Sequence, residues 1–91
     1  MGSTSTKNEY INILEELAFT AFMEAAPYLQ NPEWVKKTYV EGLKKAEKLE
    51  QLKSFLVEKV EKEEDKFKQV DLKIYLTYLG KVWRKHFGSK P

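Results

Sequence analysis

The chain has 91 residues, 42% hydrophobic and 33% charged, with a net charge of +2. That suits one globular domain, leaves too little chain for two, and is not the composition of a chain disordered throughout. With no cysteine there is no disulfide framework or thiol chemistry, and no uncharged apolar run is long enough to span a bilayer.

The stretch Met1 to Asn8 is polar and lacks the apolar core of a signal peptide, so a cytoplasmic protein is expected. Disordered tails are expected at 1–7 and 89–91, flanking one helical domain over 8–88. Thr6-Lys7-Asn8-Glu9 reads as a capping box that opens the first helix. Beyond it Tyr10, Ile11, Leu14, Leu17, Ala18, Ala21, Phe22 and Ala25 recur at steps of three and four, one wide apolar stripe. Pro27 disfavours helical geometry at Ala26, so this helix ends or kinks there.

Asn31-Pro32-Glu33 restarts the chain with a cap, a proline at the first helical position and an acid facing the helix dipole. From Pro32 to about Lys68 the only breaker residue is Gly42. Val35, Tyr39, Ala46, Leu49, Leu56, Val60 and Phe67 fall on a 3.5-residue spacing, interrupted by Gly42, Lys53 and Glu63. The pattern predicts a long, coiled-coil-like central helix, ~55 Å if continuous. Glu41–Lys45, Glu58–Lys62 and Glu64–Lys68 are favourable i,i+4 pairs along it.

Asp71 is the expected cap of a third helix, with Leu72, Tyr75, Leu76, Leu79, Val82, Trp83 and Phe87 on its apolar face and Gly88 ending it. The fold expected is therefore all-α, a three-helix bundle around a long central helix. Neither shorter helix could cover the whole of that central one. Phe19, Met23, Val40, Phe55 and Tyr78, with Ile74, lie off the main stripes, so they are the candidates for self-association as a two-fold dimer. A break at Glu63-Glu64-Asp65 would give a compact monomer instead.

No catalytic, cofactor or metal site is expected. The four glycines are scattered, and His86 stands alone beside Lys85 on a basic final turn. The acids Glu61, Glu63, Glu64 and Asp65 are interleaved with lysines, the pattern of a solvated helix face. Lysine and glutamate dominate the charged residues and Arg84 is the only arginine, a composition resembling that of thermophile proteins.

Charge is uneven along the chain. Residues 1–31 set Lys7 against Glu9, Glu15, Glu16 and Glu24, whereas residues 66–91 set seven basic side chains against Asp71 alone. Lys73, Lys81, Arg84, Lys85 and Lys90 are the candidate contacts to nucleic acid or to an acidic partner. An ordinary solvated helix face is the competing reading of the same residues. Stretches through Tyr39–Gly42, Lys62–Phe67 and Tyr75–Phe87 bear a slight resemblance to the small helical subunits of type III CRISPR effector complexes. It covers about half the chain without a diagnostic motif and identifies no family; it would imply Lys73, Lys81 and Arg84 as backbone contacts. The function expected is a non-enzymatic accessory or adaptor protein acting by helix association, with a nucleic-acid-binding module or small nucleoprotein subunit as the alternative. A protein partner and homodimerisation are expected, with no membrane and no small-molecule substrate.

Overall fold

The computed structural model describes residues 6–88, with side chains from Ile13 onward. The side chains of the Thr6–Glu9 capping box, the tail residues 1–5 and 89–91, and Lys90 with them, lie outside the described residues. Four α-helices follow one another: α1 (Thr6–Ala25), α2 (Pro32–Lys45), α3 (Leu49–Lys62) and α4 (Lys66–Phe87). Among the described residues there is no strand.

Two helices and the start of a third thus stand where the seam predicts one. Ala46 and Lys48 are both extended, so the chain turns back between α2 and α3 over three residues. The molecule measures 46 × 28 × 21 Å, shorter than the ~55 Å of a continuous helix. Tertiary packing overrides the good helix propensity of Ala46-Glu47-Lys48. Gln51 stabilises the turn, its Oε1 accepting the Glu47 and Lys48 N–H groups at 2.7 and 3.2 Å. The fold-back brings α3 close at Gly42: a Cβ there would lie 2.7 Å from Phe55 Cδ2 and 2.8 Å from Leu52 Cδ1, so those side chains would have to shift. The seam residues Val35, Tyr39, Ala46 and Leu56 are buried within the chain's own core, not against a partner.

Other junctions follow local chemistry. Pro27 ends α1 at Ala25 and sits inside a 3₁₀ turn, Ala26–Tyr28. Glu63 and Asp65 mark the break between α3 and α4, and Gln69 Nε2 caps the end of α3 by donating to Glu63 O at 2.6 Å and Val60 O at 3.2 Å. Asp65, and not Asp71, caps α4: its carboxylate accepts the Phe67 and Lys68 N–H groups. Gly88 closes α4 in the left-handed region, φ 61°, where a side chain would be strained.

Asp71 has a different task. It is buried one turn further into α4, and its carboxylate reaches across to the start of α2. The Gln30 N–H donates to both oxygens at 3.1 Å, and the Asn31 N–H donates to Oδ2 at 2.6 Å. Asn31, the cap position of α2, makes no side-chain cap bond of its own. A residue 40 positions away therefore takes the N–H of the cap residue Asn31 and that of Gln30 before it, donors that precede the first turn of α2.

The core is built chiefly between α1 and α4. Leu14, Ala18, Ala21 and Ala25 from α1 meet Leu72, Tyr75 and Leu79 from α4, with Val35, Tyr39, Leu52 and Leu56 closing it from α2 and α3. Each fully buried leucine contributes about 1.5–3 kcal/mol. Tyr75 is the largest of the fully buried side chains; its ring stacks on Tyr39 at 5.1 Å and its hydroxyl donates to Ala18 O at 2.9 Å. No buried side-chain polar atom among the described residues lacks a partner.

Candidate interaction surface on α4

Helix α4 is 22 residues long, and its single acid, Asp71, is turned inward and engaged. Its exposed cations therefore meet no carboxylate on their own helix. Lys66, Lys73 and Arg84 recur at intervals of seven and eleven residues, so they follow one line along the outside; Lys81 and Lys85 fall on the next line round. All five are exposed. Of the three i,i+4 ion pairs expected, Glu58–Lys62 closes at 3.3 Å. Lys45 lies instead over the Phe55 ring at 5.4 Å, and Lys68 over the Trp34 ring at 5.1 Å.

Beside the cations runs an apolar stripe. Phe67, Val70, Ile74 and Tyr78 are spaced three, four and four residues apart, which sets them on one side of α4 over ~17 Å. Phe67 is 60% exposed and Val70 51%, while Ile74 is half-buried. At the far end Tyr78 stacks on Tyr28 of the 3₁₀ turn, centroids 6.0 Å apart and planes within 9°. Tyr28 is 62% exposed, and Lys81 Nζ lies 5.1 Å from the Tyr78 centroid. The Tyr78 hydroxyl is held above its ordinary pKa by burial first, then by Tyr28 and the nearby Glu24.

The residues expected to drive self-association are spread over all four helices. Phe19 and Met23 are exposed one turn apart on α1. Val40 faces an open cleft of about 770 Å³ that Phe22, Glu33, Lys36, Lys37, Glu41 and Lys44 also line. Phe55 is packed on Gly42 between Lys45 and Lys59, and Tyr78 is taken up by Tyr28. Sequence reasoning missed Val70 and Tyr28, and it placed Phe67 in the seam and Phe87 in the core. Both phenylalanines are about half or more exposed. The signal for the stripe was present in Phe67, Val70 and Ile74, at helical spacing but off the Leu72–Leu79 face. Gly80 has only Arg84 of its own helix within reach, so close helix approach occurs at Gly42 and not there.

Among the described residues no helix is long and apolar enough to cross a membrane, and no group of three His, Asp or Glu side chains could hold a metal ion. No curated protein and no solved structure matches the chain. The MJ1579 family model matches residues 9–82, reaching into all four helices, and the chain belongs to the MJ1579 family.

Proposed function

We propose that the chain is a non-enzymatic accessory protein that works by docking a helix face onto another protein. The observation that carries this reading is the stripe of Phe67, Val70 and Ile74 with the Tyr28–Tyr78 pair, apolar surface left open beside a well-filled core. Contiguous exposed apolar side chains rimmed by charge are the usual mark of a protein-binding surface, whereas single ones are ordinary. The 3.5-residue seam supports it only at Phe67, because Val35, Tyr39, Ala46 and Leu56 are buried in the fold itself.

The test is photo-crosslinking in host cells. Benzoylphenylalanine in place of Phe67 or Val70 should give a discrete protein adduct identified by mass spectrometry. The same group at exposed Ser54 on α3 should not. Absence of a protein adduct from both α4 positions would refute the docking reading.

One observation favours a second reading, nucleic-acid binding: α4 exposes five cations and no acid. In an anisotropy titration against single-stranded and duplex oligonucleotides, that reading predicts micromolar binding that fades steeply with salt. Lys81→Ala with Arg84→Ala should then flatten the log–log salt slope by roughly 1.5–2 and weaken all sequences alike. Binding unaffected by the double change would remove this face from consideration.

A further inference from the structure

We infer that the occupant of the α4 stripe is an acidic amphipathic helix belonging to a different protein. The inference rests on the docking reading and adds the partner's chemistry. A ligand must satisfy two things at once: the apolar line Phe67–Val70–Ile74, and the cation line Lys66–Lys73–Arg84 beside it with Lys81 and Lys85 at its end.

Nucleic acid would answer the cations and fail the stripe. Val70 and Ile74 have no ring face for a base to stack on, and phosphates would be drawn over aliphatic carbon. A second copy of the chain would answer the stripe and fail the cations. Two α4 faces packed together would set lysine rows of like sign against one another along the helix, the exposed acids Glu64 and Asp65 lying only at its N-terminal end. A helix with apolar residues at i, i+3, i+4 and i+7, flanked by Glu or Asp, meets both demands. Its length is bounded, since ~17 Å of stripe is about three turns. Glu24 of α1 lies close enough to influence Tyr78, so a partner's carboxylates are better placed on the Lys73–Arg84 side than toward α1. Lys81, whose Nζ lies over the Tyr78 ring, is placed where the apolar and acidic parts of such a helix would meet.

The experiment uses the full chain, isotopically labelled, and two designed peptides of about 18 residues with identical apolar faces. One carries glutamate on its polar face and the other lysine. Amide shifts on titration should cluster at residues 66–81 for the glutamate peptide, with affinity in the micromolar range that weakens severalfold from low to high salt. The lysine peptide should bind at least about tenfold more weakly. Val70→Glu, at an exposed position, should remove the glutamate-peptide response and leave the melting temperature unchanged. Equal binding of both peptides would overturn the acidic-helix inference while leaving the docking reading intact. No response to either would also overturn it, and the docking reading would then stand on the crosslinking alone. A concentration-dependent dimer whose interface shifts fall on the same residues would assign the stripe to a second copy and overturn the inference too.

Discussion

Replacing Asp71 with alanine is expected to lower stability by about 3 kcal/mol, enough to move the melting temperature down by roughly 10–20 °C. The carboxylate is almost fully buried and accepts from Gln30 N–H, from Asn31 N–H and, at 3.4 Å, from the Asn31 amide. Hydrogen bonds to a charged group contribute about 1.5–3 kcal/mol each, and their loss leaves backbone donors unmatched at the start of α2. Removing the charge also relieves its own desolvation, so the separate contributions do not simply add. Asp71→Asn keeps an acceptor and should cost about half as much. Urea and thermal unfolding of the three proteins measure this directly. A loss under about 1 kcal/mol for the alanine variant would mean that water takes over the carboxylate's role.

Tyr75→Ala should have an effect at least as large, about 4 kcal/mol, because it empties the centre of the core. Tyr75→Phe isolates the hydroxyl: it keeps the stack on Tyr39 and loses only the bond to Ala18 O, so about 1 kcal/mol is expected. The same hydroxyl sets a pH limit. Burial, and secondarily Tyr39, raises the Tyr75 pKa in the folded state above its ordinary value of 10.0; burial also raises that of Tyr39. Below pH 10 both rings are protonated whether the chain is folded or not, and stability is unaffected. Above it the unfolded chain loses these protons and the folded one holds them, so stability falls as pH rises, by up to ~1.4 kcal/mol per unit for each tyrosine. Unfolding midpoints from pH 8 to 11.5 should drop above pH 10, less steeply in Tyr75→Phe. An equal drop in both proteins would show that the Tyr75 hydroxyl is not the source.

The helical nature of the chain was legible because apolar spacing and punctuation agreed. Pro27, Pro32 and Gly88 act where their backbone chemistry predicts. The turn at Ala46–Lys48 was not legible, since alanine, glutamate and lysine are good helix formers and no glycine or proline marks it. Its trace lay in the interruptions of the 3.5-residue seam. Gly42 is where α3 crosses α2. Lys53 is where the inward phase slips to Leu52, and Glu63 is where α3 stops. Asp71 was misassigned because a carboxylate near a helix start is indistinguishable, in sequence, from one that caps a distant segment. The basic residues of α4 were visible at once, but whether Phe67 and Val70 face inward depends on where α3 ends, which local patterning did not resolve.

The pairing of the first helix with the last has a kinetic consequence. The α2–α3 hairpin and the α3–α4 corner join residues near in sequence, through Gly42 with Leu52 and Gln69 with Val60. Docking α1 brings together Ala18 and Tyr75, 57 positions apart. Closing that larger loop carries the greater entropy loss, so α2–α4 should assemble before α1 arrives. In a chevron analysis, Leu14→Ala, which shortens a buried side chain on α1, should then speed unfolding with the refolding arm nearly unmoved.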